Sequence, residues 1–108
     1  MAKQEPAADR GRGLLELDRL VHEPARHLIL DLLEAVEEAD FVFLLHHSGL
    51  TRGNLSCHLA KLEEAGYVEV RKSFVGKVPR TVLRLTSAGR KALHRYRAQM
   101  RTFMGHRP

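Results

Sequence analysis

Apolar residues recur at helical spacing over Ala25, Leu28, Ile29, Leu32, Leu33 and Val36, which predicts an amphipathic helix from Pro24 to about Glu38. Pro24 suits its start, because the ring fixes φ at a helical value and the missing N–H is not needed in the first turn. Leu14, Leu17, Leu20 and Val21 repeat the spacing upstream and predict an earlier helix over Leu14 to His22, closed off ahead of Pro24. Asp40 to Phe43 is short and partly β-prone. It predicts a brief strand leading into a short helix from Leu44 to His47 that ends at Ser48 and Gly49.

Gly49 suits a C-cap, Leu50 is an apolar spacer, and the Thr51 hydroxyl can accept a backbone N–H bond at the next helix start. The segment therefore reads as a tight helix-turn-helix. Beyond it, Leu55, Leu59 and Leu62 form one core-facing stripe, leaving Gly53, Asn54, Ser56, Cys57, Ala60 and Lys61 outside. Small, polar side chains on that outer face let a helix approach a surface closely, as insertion into the DNA major groove requires.

Gly66 ends this helix, and Tyr67 to Arg71 alternates as a half-buried strand does. Lys72 to Arg80 contains a central Gly76 for a turn and Pro79, which has no N–H to give a ladder. Thr81 to Leu85 resumes a β-prone run, so the whole reads as a hairpin with a basic tip. Thr86 or Ser87 can cap a last helix whose apolar stripe is Ala92, Leu93, Tyr96, Met100, Phe103 and Met104, with Arg90, Lys91, Arg95, Arg97 and Arg101 on other faces.

The 108 residues fit one domain, with net charge +5 and 44% apolar content. The charge is divided unevenly. Residues 1–70 carry 7 Lys or Arg against 13 Asp or Glu, whereas residues 71–108 carry 11 Lys or Arg and no acid, which points to a polyanion partner for the C-terminal third. No apolar run approaches the roughly 18 residues of a membrane span, and Met1 to Gly13 lacks an apolar signal core, so cytoplasmic localisation is expected and no membrane partner. The single Cys57 excludes an internal disulfide and a four-cysteine zinc framework.

Residues Leu17 to Arg26, Leu50 to Ser56, His58 and Leu59, Lys61 to Val68 and Phe74 to Lys77 resemble the small bacterial and archaeal winged-helix regulators related to the MarR and ArsR groups. The resemblance runs from about Leu14 to Leu93 and includes the Leu85-Thr86 and Ala88-Gly89-Arg90 start of the last helix. It implies an α+β, mainly α fold: a winged helix-turn-helix with a two- to three-stranded β-wing and a C-terminal dimerisation helix. The expected organisation is a flexible segment over 1–13, a DNA-binding domain over 14–104 and a tail over 105–108. The resemblance further implies a homodimer that regulates transcription, with a recognition helix at about 51–65 in the major groove and a wing at about 71–81 on the flanking backbone or minor groove. The sequence departs from the family at Cys57, where a longer polar or basic residue is common, and at the His46-His47 pair.

Candidate DNA-contacting residues are Thr51, Arg52, Gly53, Asn54, Ser56, Cys57, His58 and Lys61 on the recognition helix and Lys72, Lys77 and Arg80 on the wing. Each has a plainer alternative. Arg52 can be a solvated arginine, the Ser56 hydroxyl can bond its own helix, and His58, at the margin of the core stripe, reads more as a packed histidine than as a base reader. Leu93, Tyr96, Met100 and Phe103 continue further than a small core covers and are the dimerisation candidates. Partners are thus double-stranded DNA and a second copy of the chain, with an unknown small-molecule effector left open.

Seven histidines and a cysteine raise the possibility of metal sensing, but neighbours such as His46 and His47 should point apart on a helix, and no ligand set emerges. Cys57 oxidation on a DNA-facing helix would add bulk and charge. No cofactor is expected. No phosphate-binding glycine loop, nucleophile elbow or carboxylate pair suggests an enzyme, and the remaining rivals are a winged helix used for protein contacts and a metal- or redox-responsive regulator.

Overall fold

The computed structural model describes residues 17–105. The segment expected to be flexible over 1–13, the part of the first helix ahead of Leu17, and residues 106–108 of the tail lie outside the described residues. Leu17 to Glu23 forms turns where a helix was expected. The Asp18 carboxylate accepts the Leu20 N–H at 2.9 Å, and the Asp18 carbonyl accepts the His22 N–H at 2.8 Å. A side chain bonding its own backbone thus takes the place of a helical ladder. Leu17 and Val21 are buried all the same, which is why their spacing resembled a helix.

Helix α1 spans Pro24–Val36, with Pro24 in the first turn and the Glu23 carboxylate accepting the Arg26 N–H at 2.9 Å as cap. It buries Ile29, Leu30 and Leu33; Leu28 and Val36, expected on the core stripe, are exposed. The buried stripe is therefore rotated toward Leu30. The helix stops short of Glu38 because Glu37 turns to φ 68° and Glu38 begins strand β1, Glu38–Asp40. The strand expected at Asp40 to Phe43 is thus displaced toward the N-terminus. Helix α2 occupies Phe41–Ser48, since the Asp40 carboxylate accepts the Phe43 N–H at 2.8 Å and starts the helix there.

Helix α3 spans Arg52–Glu64 and buries Leu55, Leu59 and Leu62, as the stripe predicted. Strands β2, Val68–Val75, and β3, Val78–Leu85, pair antiparallel with Val75 opposite Val78. Strand β3 also pairs with β1, giving the order β1-β3-β2. Helix α4, Ser87–Met104, is capped by the Thr86 hydroxyl, which accepts the Gly89 N–H at 3.0 Å and donates to the Gly66 carbonyl at 2.6 Å. Four helices and a three-stranded antiparallel sheet close over Ile29, Leu30, Leu33, Leu44, Leu55, Leu62, Leu83 and Leu93. This is a mainly helical α+β winged helix.

Candidate nucleic-acid interface

Three residues, Gly49, Leu50 and Thr51, separate α2 from α3. Gly49 ends α2 in the left-handed conformation, and Thr51 Oγ1 accepts the Asn54 N–H at 3.1 Å. With its hydroxyl used in capping, Thr51 serves first to set where α3 begins. The three leucines of α3 point inward, so Arg52, Gly53, Asn54, Ser56, Cys57, Ala60 and Lys61 share the exposed side. A Cβ at Gly53 would meet nothing within 4 Å, which marks this side as open. The Arg52 guanidinium lies 5.8 Å from the Phe41 ring centroid, a cation–π distance that holds it beside the start of α3.

His58 is oriented differently from the other candidates. It is half-buried, and its Nδ1 lies 3.1 Å from Nη1 of Arg26, whose Nε donates to the Leu20 carbonyl at 2.8 Å. Arg26 thereby joins the Leu17–Glu23 turns, α1 and the back of α3. Arg26 was not among the candidate residues, because its place at the third position of α1 gives no local sign of a partner 32 residues away.

The β2–β3 hairpin is the wing. Its two-residue turn, Gly76-Lys77, has Gly76 at φ 65°, a backbone that the first position of a type II′ turn requires and glycine adopts without strain. Lys72, Lys77 and Arg80 are all exposed. Arg80 Nε sits 3.8 Å from the Asp40 carboxylate. The tip is more than basic: Phe74 is 70% exposed, Val75 58% and Val78 65%. Four apolar residues flanking Gly76 and Lys77 were the available signal for this. A groove between wing and α3 is lined by Phe41, Ser56, Ala60, Lys72 and Thr81.

Long-range pairing within the chain redistributes the basic C-terminal third. Arg97 binds Glu34 at 2.8 Å and also Asp31, His94 Nε2 lies 2.6 Å from Glu34, and Arg90 lies 3.8 Å from Glu34. The hydrogen bond from His94, reinforced by Arg97, holds the Glu34 carboxyl below its ordinary range. On the sheet, Arg84 donates to Glu69 at 2.6 Å and lowers that carboxyl likewise. Among the described residues Arg52, Lys61, Lys72 and Lys77, on α3 and the wing, make no ion pair.

The expected dimerisation stripe divides. Leu93 is fully buried in the chain's own core and is not open to a partner. Tyr96 and Met100 are half-buried, and Phe103 and Met104 are exposed. Tyr96 is fixed by His22, whose Nδ1 is 2.6 Å from its hydroxyl, and by the His27 ring at 5.2 Å. His46 and His47, expected to diverge, have ring centroids 5.1 Å apart, because His47 turns back onto Phe43 one helical turn earlier.

Residues 25–104 match the family described as winged helix DNA-binding domain. The chain is 38% identical over 78 residues to an uncharacterized protein of Methanocaldococcus jannaschii, covering 72% of this chain and 85% of that one. It is similar in structure to a transcriptional regulator homologue from Pyrococcus horikoshii, with TM-score 0.81 and 27% identity over 87% of this chain and 95% of the other. The fold is shared with NadR, solved in complex with 4-hydroxyphenylacetate, at TM-score 0.65 and 20% identity over 94% of this chain and 80% of that one. No helix among the described residues is long and apolar enough to cross a membrane. With the helix-turn-helix, the wing and most of the length matched, the chain belongs to the winged helix DNA-binding domain family.

Proposed function

We propose that the protein is a cytoplasmic transcription regulator that binds double-stranded DNA sequence-specifically as a homodimer. The observation that carries this reading is the exposed side of α3, built from small and polar residues and flanked by Arg52, Lys61, Lys72 and Lys77, which make no ion pair among the described residues. Arg52 and Asn54 at the first turn and Lys61 further along present donors to base edges, and Ser56 and Cys57 permit close approach. Gly53 keeps the helix start slim. Lys72, Lys77 and Arg80 supply the phosphate contacts that position the domain. His58 acts from behind, holding α3 through Arg26. The apolar side of α4 formed by Tyr96, Met100, Phe103 and Met104 pairs two copies, so that two recognition helices meet successive major grooves.

The test compares Arg52→Ala and Lys61→Ala on a cognate site, selected from a random duplex pool, and on random duplex. Loss of discrimination of about 1–3 kcal/mol per residue on the cognate site is expected. Equal losses on both duplexes would reassign these residues to phosphates, and no selectable site would reject sequence-specific regulation.

A further inference from the structure

The pairing between β1 and β3 ends at Asp40 opposite Val82, so the wing continues beyond the sheet as a two-stranded ribbon. Four further residues of β3 carry it outward by about 13 Å at the usual strand rise, and residues 71–80 are all exposed. A solvated hairpin end would carry polar residues here. Instead Phe74 lies opposite Pro79 and Val75 opposite Val78. Because side chains alternate across a strand, Phe74 and Pro79 form an apolar patch on one face of the ribbon and Val75 and Val78 on the other. Both faces of the tip are therefore apolar.

Cations surround this tip in a fixed order. Lys77 lies at the apex in the turn, Lys72 two residues behind Phe74 on its face, and Arg80 two residues behind Val78 on the opposite face. Residues 71–108 contain no acid, and among the described residues this group makes one ion pair, between Arg80 and Asp40 at 3.8 Å. An apolar edge set between rows of positive charge fits a surface with an apolar floor and anionic rims. The minor groove has that character, with sugar rings and base edges between two rows of phosphates.

We infer that the wing tip is a wedge: Phe74, with Val75, Val78 and Pro79, enters the minor groove and bends the DNA, while Lys72, Lys77 and Arg80 hold the flanking phosphates. This rests on the DNA-binding reading above. An unbent minor groove is only about 6 Å wide, narrower than a ribbon carrying side chains on both faces, so contact requires the groove to open. Opening and partial unstacking cost least at pyrimidine–purine steps such as TA. The wing thus selects for deformability at positions whose base edges it does not read.

The experiment uses the full chain and two end-labelled duplexes of equal length, one with central TA steps and one with an A-tract. Energy transfer between the ends reports bending, and a parallel titration with unlabelled ends reports affinity. The wild type should bring the ends of the TA duplex together and prefer it over the A-tract. Phe74→Ser, at an exposed position that leaves the core intact, should still bind with an unchanged salt slope but lose the bend, weakening about tenfold on the TA duplex alone. Lys77→Ala should lower the salt slope and keep the bend. Wild type and Phe74→Ser bending the duplexes alike, or wild type binding both without bending, would overturn the wedge while leaving DNA binding in place. The latter result would assign the tip to a protein or lipid surface. Absence of binding to either duplex at low salt would instead overturn the functional reading beneath it.

Discussion

Gly89 packs so closely on Tyr67 that a Cβ there would lie 2.9 Å from the Tyr67 carbonyl carbon, and 2.9 Å from Cδ1 of Leu85. The same carbonyl oxygen accepts the Thr86 N–H at 3.0 Å, so the residue just ahead of β2 anchors the first turn of α4. In an open helix, Gly to Ala stabilises by about 1 kcal/mol. Here the new methyl meets backbone that cannot swing away. Gly89→Ala should destabilise the domain by about 2–4 kcal/mol and lower the melting temperature by about 10–20 °C in a thermal unfolding scan. Gly53→Ala, where a Cβ meets nothing within 4 Å, should hold or raise the melting temperature. Equal effects at both sites would refute the close contact.

Glu34 gathers Arg97, His94 and Arg90 from α4 onto α1. Its carboxyl is held below the ordinary 4.5, first by the His94 hydrogen bond and then by Arg97. A depressed folded-state value stabilises the fold above the unfolded-state value and is lost as pH falls through the folded one. Glu34→Gln should therefore cost about 1 kcal/mol near neutral pH, a figure kept small by partial exposure. The gap from wild type should close as pH drops below 4.5. Urea titrations across that window measure it, and a gap independent of pH would mean that packing, and not charge, joins the two helices.

The exposed apolar residues of α4 set the third expectation. Leu93 belongs to the core, so a charge there would unfold the chain, whereas Met100 and Phe103 lie on the open side. Met100→Glu with Phe103→Glu should leave the helical circular dichroism intact and convert dimers to monomers in light scattering at micromolar concentration. Affinity for a two-half-site duplex should fall with it, because each copy then binds alone. A wild-type chain that is already monomeric would remove the dimer from the mechanism.

What the sequence disclosed was local. Pro24, the Gly49-Leu50-Thr51 turn, the Leu55, Leu59 and Leu62 stripe, the Gly76 turn and the Thr86 cap each act through neighbours a few residues away, and each appears in the structure as read. The exposed face of α3 followed from the same stripe. The misplaced elements depended on choices that hydrophobic spacing does not encode. Asp18 and Asp40 spend their carboxylates on nearby N–H groups, turning one expected helix into turns and starting another three residues early. Strand β1 is only three residues long and exists because β3 supplies its partners from distant sequence. The pairing of Arg97 with Glu34, 63 residues apart, was equally invisible, and it removes charge from α4 that the sequence had counted toward DNA.

Asp40 performs two tasks at the base of the wing, and they are separable. One carboxylate oxygen caps α2 by accepting the Phe43 N–H at 2.8 Å, and the other stands 3.8 Å from Arg80 Nε. Asparagine keeps a capping oxygen but removes the charge. The pair is 48% and 34% exposed, a setting in which an ion pair contributes little, so Asp40→Asn should change stability by under about 1 kcal/mol. Its effect should appear on DNA, where Arg80 becomes free to meet phosphate and a negative charge leaves the interface. Affinity for random duplex should rise about two- to fivefold at low salt and the gain should shrink as salt screens it. In an Arg80→Ala background the gain should vanish. Replacing Lys77 and Arg80 together by Ala should flatten the dependence of log K on log salt by about 2 units per bound copy, at roughly 0.9 per phosphate contact. A gain from Asp40→Asn that persists without Arg80 would place the effect on overall charge. An unchanged slope in the double variant would move the electrostatic contact off the wing, to Arg52 and Lys61 on α3.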